Sequence, residues 1–144
     1  AARIGGIVAD LPRPTIDALT EYGEAFGMVF QVVDDVLDLT ATDEQLGKPA
    51  GHDMVEGVYT LPVLRTLQAG GVAAVELLAL LGKPLDHVER DKALSIVRSN
   101  GGVEAAMAVA REWAQRAEAA CELLPPSAAT DVLYAAPAAL LATL

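Results

Sequence analysis

Three aspartates, Asp34, Asp35 and Asp38, sit in an otherwise apolar run, Phe30-Gln31-Val32-Val33-Asp34-Asp35-Val36-Leu37-Asp38. On a helix, which advances about 100° per residue, Asp34 and Asp38 lie about 40° apart in projection and Asp35 and Asp38 about 60°. All three carboxylates then fall on one side. Like charges at this spacing repel. They also fall near the end of the helical pattern, at the negative pole of the helix macrodipole. A divalent cation reverses the sign of that problem. Hard oxygen donors suit Mg²⁺, which commonly bridges carboxylates to substrate phosphates, with Mn²⁺ as the alternative ion. The competing reading is a solvated acidic face. Apolar neighbours on both flanks favour a cavity wall instead.

The element that must carry these residues is the longest periodic segment, Thr15 to Leu39, in which Ile16, Leu19, Tyr22, Ala25, Phe26, Val29, Phe30, Val33 and Leu37 recur at helical spacing. Gly23 and Gly27 lie inside it and weaken it as a helix. Close approach of another helix is the first explanation for them, and a ligand passing near the backbone the second. Upstream, Ala1 to Ala9 reads as a helix and Asp10 to Pro14 as a break. The polar stretch Thr40 to Gly57 reads as a loop. Helices are expected over Thr60 to Ala69, Val72 to Leu81, Asp86 to Ser99 with Asp86 as N-cap, and Val103 to Leu124, ended by Pro125-Pro126. A weaker last helix, Ser127 to Ala136, stops before Pro137. No strand is expected, so the fold class is all-α, and residues 1–144 read as a single helical domain.

The loop after the aspartates supplies Lys48, between Gly47 and Gly51, which has the reach to meet a phosphate. The Gly-x-x-x-x-Gly-Lys-Ser/Thr spacing of a P-loop is absent, and Lys48 on its own reads equally as a surface lysine. His52 reads as a loop or capping residue. His87 is far along the chain, so a zinc site has little support.

Acidic residues number 20 against 10 Lys and Arg, a formal charge of −10, which disfavours nucleic acid as a partner. The single cysteine, Cys121, excludes an internal disulfide, fits a reducing compartment such as the cytoplasm, and reads as a small buried apolar residue. Hydrophobic residues make up 53% of the chain. The longest uncharged stretch, Val132 to Leu144, is too short to span a bilayer. Surplus apolar surface is therefore expected to face another part of the protein or another subunit. The first residue is Ala1 rather than Met, so the chain reads as part of a longer protein.

Taken in order, Gly23-Glu24-Ala25-Phe26, then Phe30 to Asp38, then Gly47-Lys48-Pro49-Ala50-Gly51-His52-Asp53, then Glu56-Gly57-Val58-Tyr59-Thr60-Leu61-Pro62, the sequence resembles the trans-prenyl diphosphate synthase (polyprenyl synthetase) family, in its C-terminal half. The resemblance implies an antiparallel helical bundle of the isoprenoid synthase type around a cavity. It implies that Asp34, Asp35 and Asp38 form the second aspartate-rich motif, holding Mg²⁺ with Asp53 nearby, and that Gln31, Lys48 and Thr60 meet the allylic diphosphate. None of these would act as a general acid or base. The implied reaction condenses isopentenyl diphosphate with an allylic diphosphate, in a homodimer or with the missing N-terminal half. A first aspartate-rich motif is absent; Asp86, Glu89 and Asp91 have the wrong spacing for it. Val58 stands where many members carry Lys, and the C-terminal Leu140 to Leu144 lacks the basic tail of many members. The alternative is a non-catalytic helical partner subunit of such a synthase. An unrelated carboxylate metal bundle would need Glu-x-x-His pairs, which the sequence lacks.

Overall fold

The computed structural model describes residues 1–41 and 50–144. Among them eight helices and no strand occur: α1 (Ala2–Val8), α2 (Arg13–Thr40), α3 (His52–Val55), α4 (Leu61–Ala69), α5 (Gly71–Leu80), α6 (His87–Ser99), α7 (Gly102–Cys121) and α8 (Ala128–Leu141). The all-α expectation holds. They divide into two compact units, one of Ala1–Val33 with Val109–Leu144, the other of Asp34–Ala108.

In the first unit α1 and the start of α2 run antiparallel, joined by a reversal at Asp10, whose φ of 51° is tolerated by a short polar side chain. A Cβ built on Gly6 would come 2.9 Å from Leu19, and one on Gly23 would meet Ala2 at 3.4 Å. Gly23 thus sits at a close helix approach, whereas among the described residues nothing comes within 4 Å of a Cβ at Gly27. The core sets Ala18, Leu19, Tyr22 and Ala25 of α2 against Ala117, Ala120 and Cys121 of α7, with Leu124 beyond it. Small side chains on both helices allow that contact. Cys121 is a buried free thiol, as its type suggested.

In the second unit α4 packs on α5 and α5 on α6. Leu39, Met54, Val63, Leu77, Leu94 and Val97 make up most of the core. The α6 N-terminus is held as expected: the Asp86 carboxylate accepts the Val88 and Glu89 N–H groups at 2.9 Å each, and Glu89 reaches back to the Asp86 N–H. These hydrogen bonds hold the Asp86 carboxyl below its ordinary pKa, the one from Glu89 most. On α5, Val72, Val75 and Leu78 are exposed.

Besides shifts of one or two residues, such as α2 beginning at Arg13, three elements depart from the sequence expectation. The stretch 40–57 contains the one-turn helix α3, whose Met54 is pulled into the core beside Leu39. Helix α7 stops at Cys121, because Glu122, Leu123 and Leu124 bond back three residues instead of four and tighten the chain ahead of Pro125. Helix α8 does not stop at Pro137 but runs through it to Leu141. A proline inside a helix leaves the carbonyl four residues earlier without its partner. That carbonyl belongs to Leu133, and the Tyr22 hydroxyl donates to it at 2.9 Å. No described helix is long and apolar enough to cross a membrane.

Candidate diphosphate and metal site

Helix α2 carries the acidic run without a break, but its three aspartates are not equivalent. Asp34 is exposed, while Asp35 and Asp38 are 7% and 5% exposed. The core-facing stripe of the helix, Val29, Val32, Val33, Val36 and Leu39, is buried. Asp38 projects roughly 160° from Val36 on helical geometry, so it lies on the other side of α2. On that side the chain comes back to it at Gly51 and Asp53. The Asp38 main-chain carbonyl accepts the Gly51 N–H at 2.7 Å, and Asp38 Oδ2 accepts the Asp53 N–H at 3.3 Å.

Gly51 makes this return possible. It has φ of 72°, a conformation that suits glycine, and a Cβ there would come 2.9 Å from Leu94. The structure thus brings Asp38 and Asp53 together, 15 residues apart in the chain. Lys48, with Gly47, lies outside the described residues.

The helix end raises a problem of unpaired carbonyls and accumulated negative charge. Ala41 N–H bonds to the Leu37 carbonyl, Gly51 N–H to that of Asp38, and Arg98 Nε of α6 donates to that of Leu39. A guanidinium here also offsets the negative pole of α2 and the acidic residues on its last two turns. Sequence reasoning missed Arg98. The only signal for it was the need for a cation at an acidic helix end, which no local spacing supplies.

The remaining predicted residues are placed as follows. Gln31 is exposed on α2, three residues before Asp34. Thr60 is half-buried as the N-cap of α4, and its main-chain carbonyl receives the Leu64 N–H at 3.1 Å. Its side chain makes no capping bond. Val58 is 54% exposed. His52 opens α3 and lies 3.2 Å from Glu56. Among the described residues no group of three or more His, Cys, Asp or Glu side chains is arranged to hold a metal ion. The donors present are all carboxylate oxygens, which fits Mg²⁺ as it is usually bound, through one or two carboxylates with substrate phosphates completing the shell.

Comparison with known proteins decides the family. The sequence profile of polyprenyl synthetases matches residues 1–97. The chain belongs to the polyprenyl synthetase family. Component 2 of the heptaprenyl diphosphate synthase of Geobacillus stearothermophilus is 35% identical over 133 residues, which are 92% of this chain and 41% of that protein. The nonaprenyl diphosphate synthase of Mycobacterium tuberculosis is 34% identical, over 87% of this chain and 38% of that one. Among solved structures, a geranylgeranyl pyrophosphate synthase of Corynebacterium glutamicum, complexed with calcium and isoprenyl diphosphate, superposes with a TM-score of 0.88 at 32% identity over 98% of this chain and 44% of its own. This polyprenyl synthetase chain therefore spans about two fifths of the length of the curated relatives it matches.

Proposed function

We propose that this chain supplies the second aspartate-rich part of a prenyl diphosphate synthase, which condenses isopentenyl diphosphate with an allylic diphosphate. The observation that carries the reading is an acidic run with one solvent-facing carboxylate, Asp34, on a polyprenyl synthetase helix whose end is held by Gly51, Asp53 and Arg98. Asp34 and Asp35 would hold Mg²⁺ (or Mn²⁺), with Asp38 and Asp53 beside them. When bound, the ion supplies the positive charge that stabilises a departing pyrophosphate. Gln31 and Thr60 offer hydrogen bonds to phosphate oxygens, and Lys48 offers a point charge. No side chain here is assigned as general acid or base. The chemistry asks this chain for positioning and charge, and for apolar walls that keep water from the allylic cation. We place the protein in the cytoplasm, as a homodimer or paired with a chain bearing the first motif.

A second reading has its own support. The matched Geobacillus protein is named as one component of its synthase. On that reading this chain is a non-catalytic partner subunit. An assay of the full-length protein with labelled isopentenyl diphosphate, allylic primers and Mg²⁺ separates the two. The first reading expects turnover that falls by about a hundredfold or more in Asp34→Ala. No turnover with any primer, restored by adding a second synthase subunit and indifferent to Asp34→Ala, would establish the second. The 144-residue chain alone is expected to show no condensation.

A further inference from the structure

We propose that the acidic run divides its labour, and that Asp38 is a positioning residue whose carboxylate sets the Gly51–Asp53 backbone in place rather than entering the metal shell. The inference deepens the proposed function and rests on it for the role of Asp34. Three observations point the same way. First, Asp38 is 5% exposed although it projects away from the Val29–Val33–Val36 stripe, on the side where Gly51 and Asp53 meet it. Second, both its main chain and its side chain are engaged by that chain, the carbonyl by Gly51 N–H at 2.7 Å and Oδ2 by Asp53 N–H at 3.3 Å. Third, the segment it grips is fixed from the opposite side. Ala50 and Met54 are buried in the cluster that holds Leu39 and Leu94, and Gly51 lies against Leu94 too tightly for a Cβ. Asp38 is thus the link between the end of α2 and the start of α3. Asp34, four residues earlier, faces solvent.

The consequence is chemical. An oxygen that accepts a main-chain N–H is acting as a neutral-capable acceptor, and an amide oxygen can replace it. A ligating carboxylate also gives the ion its negative charge, and a neutral amide oxygen in its place binds a divalent cation more weakly. Asp38→Asn therefore keeps the function of Asp38 if it positions, and weakens the metal if it ligates.

Amide hydrogen exchange on the metal-free chain reads the positioning directly. In Asp38→Ala the Asp53 amide should exchange about five- to tenfold faster than in the unmodified chain, the loss of one charge-assisted bond. The Gly51 amide, held by the Asp38 main-chain carbonyl, is the internal control and should keep its protection. In Asp38→Asn both amides should stay within about twofold of the unmodified chain. Mn²⁺ binding in the presence of inorganic pyrophosphate, followed by electron paramagnetic resonance, reads the metal shell. Asp34→Asn should weaken it by about tenfold or more, and Asp38→Asn by less than about threefold. An unchanged Asp53 amide in Asp38→Ala overturns the proposal, as does an Asp38→Asn variant that exposes the Asp53 amide or weakens Mn²⁺ as much as Asp34→Asn does. If Asp38→Ala does not fold, Asp38→Asn alone decides, since only positioning leaves it like the parent. If no variant and no parent binds Mn²⁺ with pyrophosphate, the proposed function fails while the exchange data still stand for or against positioning.

Discussion

The Tyr22 hydroxyl donates to the main-chain carbonyl of Leu133 at 2.9 Å, across 111 residues of sequence. Leu133 is four residues before Pro137, so its carbonyl is the one that a proline within α8 leaves without a helical partner. Tyr22 fills that gap from α2. The phenol ring is buried, stacked on Phe26 with centroids 5.8 Å apart, so its position is set by the core of the same unit.

A double-mutant cycle tests this pairing. Tyr22→Phe should destabilise the unit by about 1–2 kcal/mol, because a part-buried carbonyl loses its donor. In a Pro137→Ala background the restored N–H competes for the same carbonyl, and Tyr22→Phe should then cost measurably less. Urea denaturation of the four chains gives the coupling energy, and additive effects would mean that the two residues act independently.

The same tyrosine gives the protein an alkaline limit. Burial raises the Tyr22 pKa, and the neighbouring Cys121 thiolate charge raises it further. The Cys121 pKa is also raised, first by burial and then by Glu118. Both groups are favoured neutral in the folded chain. Above the unfolded thiol pKa of about 8.5, and then above the unfolded phenol pKa of about 10, the unfolded chain releases protons that the folded chain retains. Stability is therefore fully present below pH 8, falls as pH rises through this range, and is lost beyond the folded pKa values. Cys121→Ala should flatten the first part of the decline and Tyr22→Phe the second, as read from urea midpoints between pH 7 and 11.

What the sequence made legible was local. Helical periodicity marked α2 and the Asp34-Asp35-Asp38 run, because the spacing that defines a helix face lies within a few residues. The Asp86 cap was legible for the same reason. Pro137 misled, since a proline normally ends a helix and its compensation came from Tyr22. Arg98 at the end of α2 and the Gly51–Asp53 return over Asp38 depend on chain that is distant in sequence. The shared side of the three aspartates was legible, but not their difference in exposure.

A close approach that the sequence did not mark occurs at Gly102. A Cβ there would lie 2.1 Å from Thr66 Oγ1 and 2.6 Å from the Pro62 carbonyl oxygen. The Pro62 oxygen is backbone and also accepts the Thr66 hydroxyl at 3.0 Å, so neither atom can move freely. Gly102→Ala should cost about 1–3 kcal/mol through overpacking. Gly27→Ala, where no described residue lies within 4 Å of the new Cβ, should instead stabilise the chain by about 0.5–1 kcal/mol by removing a glycine from a helix interior. Thermal or urea unfolding of the two variants should move in opposite directions.

Arg98 offers the last test, because its role joins the fold to the acidic run. Its guanidinium donates to the Leu39 carbonyl and stands at the negative end of the helix that carries Asp34, Asp35 and Asp38. Arg98→Met removes the donor and the charge while keeping an apolar stem. It should destabilise the chain by about 1–2 kcal/mol at low ionic strength. The charge part of that loss is screened by salt and the hydrogen-bond part is not, so the difference from the parent should shrink, without vanishing, between 20 mM and 500 mM salt. Divalent cations add a second reading. If the acidic run attracts Mg²⁺, the variant, which lacks its own cation there, should gain more stability from added Mg²⁺ than the parent does. Equal gains in the two chains would mean that the ion acts away from the end of α2.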